Sequence, residues 1–385
     1  MQQFIMKRAL CHTITAIACR GRTELRILST PWVPAIWPGS IANATDFPFR
    51  KNPSYLRKPT SISTKAAPTP SSVAMEPAVD EVAFESPAHF RIYKSGKIER
   101  LNRPPVLPAG LVEATGVTSK DVVLDAETGL SARLYLPRLQ DPSKKLPVLV
   151  YYHGGAFLLE SADSATYHTY VNPLAAAAGV LVVSVSYRLA PEHPLPTAYE
   201  DSWAALQWAA SAQDGWIAEH GDVSRLFLAG DSAGANIVHD MLLRASGAGG
   251  LPRVEGAIML HPWFGGNTPI EGEPEGATAA TAGLWMYACP GAVGGADDPR
   301  MNPLAPGAPA LEKLGCARML VCAGKMDALY VRDRAYYEAV AASAWPGDVA
   351  WHESEGEEHV FFLPKPECEN AKQLMDCVVA FIAGA

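Results

Sequence analysis

Gly230-Asp231-Ser232-Ala233-Gly234 sets a serine midway between two glycines. A serine hydroxyl is a weak nucleophile until it is lifted clear of its surroundings and a neighbouring base takes its proton. The G-x-S-x-G spacing meets the first need when it forms a sharp turn between a strand and a helix, because small residues at both flanks tolerate the crowding. The flanking sequence has that form. Arg225-Leu-Phe-Leu-Ala229 reads as a buried strand leading in, and Ala235–Arg244 as a helix leading out. Without this setting the five residues would be only a glycine-rich turn.

Attack on an ester leaves a negative oxygen, which needs preorganised N–H donors. His153-Gly154-Gly155-Ala156-Phe157 follows an apolar run that ends at Tyr152. The amides of Gly155 and Ala156 are the expected donors, with that of Ala233 as a third. His153 precedes the nucleophile and is read as a side chain that orients this loop, not as a base. Where the serine sits on such a turn, the acid and then the histidine follow it in the chain, on loops after late strands. Downstream lie His239, His261, His352 and His359. His239 falls within the exit helix, His261 ends a strand and His352 lies in another, which leaves His359 as the base. Asp327, a short loop beyond Met319–Cys322, is the expected acid. Asp333 is the alternative, although it opens the next helix and suits a charge offered to that helix's N-terminus.

Elements able to hold these groups are legible along the chain. Phe90–Leu101, Asp121–Leu124 and Ser131–Leu136 alternate as antiparallel strands do. Pro147–Tyr152, Val180–Val185, Leu226–Ala229, Val254–Leu260, Met319–Cys322 and Val349–Trp351 are near-continuous apolar runs, the pattern of strands buried on both faces. Helical patterns at Ala198–Ala210, Ala235–Arg244, Arg332–Ala342 and Cys368–Ile382 fall between or after them. The alternation predicts an α/β protein whose mostly parallel central sheet carries helices on both faces.

Composition narrows the function further. A net charge of −8 provides no basic footprint for nucleic acid, and no apolar run approaches the roughly 18 residues of a membrane span. The seven cysteines are scattered and include no C-x-x-C pair, so neither a disulfide framework nor a zinc site is expected. No metal or organic cofactor is implied, and the expected partner is a small-molecule ester. Residues 1–74 differ in kind, with ten Lys/Arg against only Glu24 and Asp46. That composition is typical of an organellar transit segment; the alternative is an untranslated leader with the start at Met75. Fold reasoning therefore covers 75–385, the expected catalytic domain.

The residues also carry a resemblance. The G-x-S-x-G and His-Gly-Gly motifs, Phe90–Gly96, Tyr187-Arg-Leu-Ala-Pro-Glu-His-Pro-Leu-Pro196, Tyr199–Trp203 and Met326–Leu329 together resemble plant carboxylesterases of the hormone-sensitive-lipase-like branch of the α/β-hydrolases. The resemblance implies an α/β-hydrolase fold and Ser232, Asp327 and His359 as the triad. It implies Gly154 and Gly155 in the oxyanion loop, and residues near 80–110 as part of a small N-terminal lid. Ala156 stands where the family usually has a third glycine. Related members include tuliposide-converting enzymes, which form lactones, 2-hydroxyisoflavanone dehydratases, some of which carry Thr at the nucleophile, and gibberellin receptors, which lack the triad histidine. Arg188 and Glu192 are expected to form ion pairs that hold their Pro-rich loop, with Glu200 or Asp201 as partners, rather than to touch substrate. Trp263, Phe264, Trp285 and Tyr287 are expected either as core aromatics or as a pocket wall. A plastid is the expected location if 1–74 is a transit segment, and the cytoplasm otherwise.

Residues 1–74 fused to a fluorescent reporter should direct it into plastids of plant cells. Diffuse cytosolic fluorescence would refute the plastid address.

Overall fold

The computed structural model describes residues 80–384, apart from 87–89, 102, 142, 248 and 250; the leader expected at 1–74 lies outside the described residues. A three-stranded antiparallel sheet comes first, made of β1 (Val82–Ser86), β2 (Phe90–Tyr93) and β3 (Ile98–Arg100). The main sheet then begins with β4 (Leu111–Val112), β5 (Val117–Asp125), β6 (Leu130–Leu136) and β7 (Leu146–Tyr152). It continues through α1 (Ala165–Ala178), β8 (Leu181–Ser186), α2 (Thr197–Ala210), α3 (Gly215–His220), β9 (Gly221–Asp231) and α4 (Ala233–Gly247). The last third holds β10 (Val254–Leu260), α5 (Ala277–Ala288), β11 (Cys316–Gly324), α6 (Tyr330–Ala342), β12 (Asp348–Ser354) and α7 (Glu369–Ala383).

The nine strands of the main sheet run in the order β12-β11-β10-β9-β7-β8-β6-β5-β4. All pairs from β12 to β8 are parallel, and β6, β5 and β4 add an antiparallel edge. Alternate residues of β7 point to opposite faces and both faces are buried: Val148 and Val150 join the core beneath α2 and α4, while Leu149 and Tyr151 join the core beneath α1 and α7. A strand buried on both sides has to be apolar throughout, which is why these runs stand out in the sequence. The expected class is correct.

Differences from expectation lie at particular elements. Helix α1 has no clean polar face, because Tyr167, His168, Tyr170, Val171, Asn172, Leu174 and Ala175 are all buried, and it contains Pro173. It is packed against both the sheet and α7, so it lacks the apolar stripe that marks a surface helix. Its ends are conventional: Ser164 Oγ accepts from the Tyr167 amide, and Gly179 ends it at φ +60. Strand β9 begins five residues before Leu226, where Gly221 and Asp222 pair with Leu146 and Pro147 ahead of a break in register.

The turn from β9 into α4 brings three backbone segments closer than side chains permit. A Cβ on Gly234 would lie 1.9 Å from the carbonyl oxygen of Tyr152, and one on Gly230 would lie 2.4 Å from the carbonyl carbon of Gly234. Both glycines are needed for this approach and not only for flexibility. Gly234→Ala should lower stability by about 3 kcal/mol or more in urea unfolding. Gly247→Ala, at the open end of the same helix where nothing lies within 4 Å, should be neutral or stabilising by up to about 1 kcal/mol. Similar effects of the two changes would contradict the close approach.

Candidate active site

Ser232 stands on the turn between β9 and α4 with a positive φ of 52°. Its amide donates to Leu260 O at 2.9 Å and its carbonyl accepts from Trp263 N at 3.0 Å and Asn236 N at 3.1 Å, so the adjacent end of β10 holds the left-handed conformation. Asp327 follows β11, its amide bonded to Gly324 O at 3.0 Å. His359 follows β12. These three late-strand ends bring the expected residues together: His359 Nε2 lies 2.9 Å from Ser232 Oγ and His359 Nδ1 2.7 Å from Asp327 Oδ2.

Electrostatics follow from burial and pairing. Burial alone would raise the Asp327 pKa, but the charge of His359 and the hydrogen bonds from His261 and His359 hold it well below the usual carboxylate range. Burial works against a charged His359, yet Asp327, helped by Asp231, outweighs it and raises its pKa above the ordinary 6.5. Asp231, next to the serine, is pushed up to about 6 by burial, against hydrogen bonds from Tyr167 and Tyr151 that favour its ionised form.

The loop after β7 turns through three residues of positive φ, Gly155 at 96°, Ala156 at 55° and Phe157 at 62°. A Cβ on Gly155 would lie 2.5 Å from Leu159 O, whereas the angle of Ala156 is one that an L-residue adopts at modest cost. Alanine in place of the third glycine is therefore accommodated. Among the described residues the amides of Gly155 and Ala156 make no hydrogen bond, and that of Ala233 is at the first position of α4, where a helix supplies no acceptor. Gly154 lies in this loop, as the resemblance implies, but its amide donates to Tyr167 Oη at 2.7 Å, and that hydroxyl donates to Asp231 Oδ2 at 2.8 Å. Its N–H is committed, so Gly154 shapes the loop without being free to donate to an oxyanion.

The other histidines are engaged elsewhere. His153 is fully buried, stacked on Tyr187 at 4.2 Å, with Nδ1 2.8 Å from Gly154 O. Burial lowers its pKa to about 4. Tyr187 Oη in turn donates to His153 O at 2.6 Å. His239 Nδ1 meets Tyr336 Oη at 2.9 Å, and His352 lies within β12 opposite Cys322. His261 is the unexpected member: it follows β10, and its Nδ1 is 2.9 Å from Asp327 Oδ2. Position at a strand end had argued against it, whereas adjacency to the acid becomes visible only once β10 and β11 are paired. Asp333 is in the first turn of α6 as expected, and it is fully buried with both carboxylate oxygens unpartnered. Burial, then the neighbouring Asp327, raises its pKa well above normal.

Around the site, Arg188 pairs with Asp201 at 2.7 Å, one of its two expected partners, while Glu192 reaches outside its loop to Arg100 at 2.6 Å. Trp263, Phe264 and Trp285 are buried; Phe157 packs against Trp263 and Trp285 with centroids 5.8 and 6.4 Å away. Tyr287 packs instead on Phe84 at 4.0 Å, joining α5 to the N-terminal sheet.

A family profile described as the alpha/beta hydrolase fold matches residues 149–363. The chain belongs to that family. It is 47% identical over 320 residues to a 2-hydroxyisoflavanone dehydratase of Glycyrrhiza echinata, covering 78% of this chain and 96% of that one. It is 42% identical over 310 residues to a probable carboxylesterase of Arabidopsis thaliana (80% and 98% covered), and 42% over 325 residues to an amyloplastic tuliposide A-converting enzyme of Tulipa gesneriana (82% and 84% covered). Among solved α/β-hydrolase structures, the esterase LipW of Mycobacterium marinum superposes with a TM-score of 0.59 at 28% identity, over 70% of this chain and 82% of that one.

The bridging role of Tyr167 can be measured. Tyr167→Phe strands a buried amide and removes one donor from Asp231, and should cost about 1–3 kcal/mol in urea unfolding. Tyr170→Phe, which removes a buried hydroxyl that has no partner, should cost far less. Equal losses would mean that the Tyr167 hydroxyl bridges nothing.

Proposed function

We propose that Ser232, His359 and Asp327 act as nucleophile, base and orienting acid in the hydrolysis of carboxylic esters through an acyl-serine intermediate. The observation that carries this reading is the single imidazole joining Ser232 Oγ at 2.9 Å to Asp327 Oδ2 at 2.7 Å. The chain is a serine ester hydrolase of the α/β-hydrolase family, in keeping with its carboxylesterase relative and esterase structural neighbour. With Nδ1–H donated to Asp327, His359 presents the Nε2 lone pair to the serine proton. As Ser232 Oγ bonds to the ester carbon, Nε2 takes that proton and the carbonyl oxygen becomes an oxyanion. The amides of Gly155, Ala156 and Ala233 are its proposed donors. Collapse expels the alcohol, which leaves with the proton from His359. Water, deprotonated by the same nitrogen, then releases the carboxylic acid and restores the serine.

The substrates proposed are small or medium hydrophobic esters. Buried aromatics around Phe157, Trp263 and Trp285 support an apolar surround for the acyl or alcohol group. Dehydration of a 2-hydroxyisoflavanone and conversion of tuliposide A are activities named for relatives and are not favoured for this chain. No helix among the described residues is long and apolar enough to cross a membrane. A plastid address is proposed for residues 1–74, supported by their acid-poor composition and by amyloplastic and chloroplastic designations among relatives.

The full chain should hydrolyse p-nitrophenyl acetate without added cofactor. Ser232→Ala and His359→Ala should each lower turnover by about three to six orders of magnitude with the fold retained by circular dichroism, whereas His352→Ala should leave turnover within a few-fold. Because His359 must be neutral to accept the proton, and its pKa is raised, kcat/KM should fall as pH drops through a value above 6.5. Undiminished turnover in either triad variant would refute the assignment.

A further inference from the structure

His261 has no place in a three-residue triad, yet it is built into this one. Its ring is fully buried. Its backbone has φ 48° and its amide donates to Cys322 O at 2.7 Å, which ties the end of β10 to the end of β11. The rings of Phe361 and Phe362 pack on it at 5.7 and 5.8 Å, and that of His359 meets it edge-on at 5.8 Å. Nδ1 is 2.9 Å from Asp327 Oδ2, the oxygen that also faces His359 Nδ1, while Nε2 is buried without a partner.

The position of one proton follows. Two lone pairs 2.9 Å apart would repel, so a ring nitrogen that close to an ionised carboxylate carries hydrogen. The amides of Gly324 and Val360 approach the same nitrogen at 3.3 and 3.4 Å and are the weaker claims on it. With Nδ1 protonated, Nε2 is bare, since a second proton there would find no acceptor and would charge a ring withdrawn from water. Burial accordingly depresses the pKa of His261, with His359 and His352 acting in the same direction and Asp327 against them. Asp327 Oδ1 meanwhile accepts the Leu329 amide at 2.9 Å. His261 and His359 are also near enough to Asp327 to resemble a cation cluster, with ligand atoms within 4.8 Å of one another, but both nitrogens face one oxygen along hydrogen-bond lines.

We propose that His261 is a positioning residue, a neutral imidazole that shares the Asp327 carboxylate with His359, holds it in place and limits how strongly it favours protonated His359. The inference rests on the ester-hydrolase reading of the site. A carboxylate that accepts an additional hydrogen bond is a weaker base and stabilises a neighbouring imidazolium less. Removing the bond should therefore raise the pKa of His359, on which Asp231 also acts, and loosen its aim. Asp333, the other acid near Asp327, is itself held toward its neutral form.

The test uses the full chain and p-nitrophenyl acetate. His261→Leu should lower kcat about 10- to 100-fold with KM little changed, and should move the acid limb of kcat/KM to higher pH. His261→Asn, whose amide nitrogen can take the place of Nδ1, should recover most of both. Equal losses in the two variants with an unmoved acid limb would reduce His261 to packing and overturn the proposal, as would a wild-type profile in His261→Leu. Nitrogen-15 NMR of the histidines provides a readout independent of variant folding: wild-type protein should show His261 protonated at Nδ1 alone, and an Nε2–H tautomer would overturn the proposal. Ser232→Ala assayed alongside separates the two readings, because retained hydrolysis there would refute the ester-hydrolase mechanism itself.

Discussion

A carboxylate withdrawn from water has to recover its hydrogen bonds from the protein, and Asp327 collects them from three places. Leu329 N–H serves Oδ1, and His261 and His359 both face Oδ2 at 2.9 and 2.7 Å. Each donor comes from a different stretch of chain: the start of α6, the end of β10 and the loop beyond β12. They converge only if β10, β11 and β12 lie side by side and in parallel, as they do. Sheet order and buried charge are thus one constraint. An ionised group in the interior is tolerated when it is fully bonded, and the fold supplies the bonds by ending three strands at one edge.

A second buried acid solves the same problem on the other side of the serine. Asp231 takes hydroxyl donors from Tyr151 and Tyr167, each at 2.8 Å. Tyr167 then accepts the Gly154 amide, so the residue preceding Ser232 is linked through one phenol to the loop with the free amides. The two phenol bonds do not outweigh burial, so the pKa of Asp231 stays raised to about 6, whereas the charge of His359 and the bonds from both histidines depress that of Asp327. The two acids differ in what faces them, a histidine pair for one and a tyrosine pair for the other.

How much of this was legible in the sequence depended on whether the signal was local. Ser232, Asp327 and His359 could be named because each sits at a marked boundary, and strands such as β7 and β10 could be named because double-sided burial demands an unbroken apolar run. Helix α1 was not legible: buried on most sides and carrying Pro173, it lacks the stripe that betrays a helix. Tyr167 was lost with it. His261 was seen and set aside, since a histidine at a strand end gives no sign of what the next strand brings beside it. Asp333 was placed correctly along the chain but its burial was not foreseen, because burial of the first turn of α6 is decided by tertiary packing. The resemblance put Gly154 in the loop with the free amides, and gave no sign that a hydroxyl from an unrecognised helix engages its own amide.

The segment ahead of the main sheet is attached by few but directional contacts. Arg100, at the end of β3, donates to Leu158 O, to Ala190 O at 2.9 Å and to Glu192 at 2.6 Å. Leu158 belongs to the turn that follows Gly155, and Ala190 and Glu192 to the Pro-rich loop held by Arg188 and Asp201. One guanidinium therefore joins the N-terminal sheet to the turn beyond the free amides and to the loop packed behind it. Apolar attachment includes Phe84 and Phe90 against Tyr287, with Phe90 buried in the core and Ile92 packed against it. An aromatic contact can slide at little cost, whereas a five-donor fork loses several bonds as soon as it shifts. Displacement of this sheet would accordingly break the Arg100 bonds, and those bonds border the turn that follows Gly155.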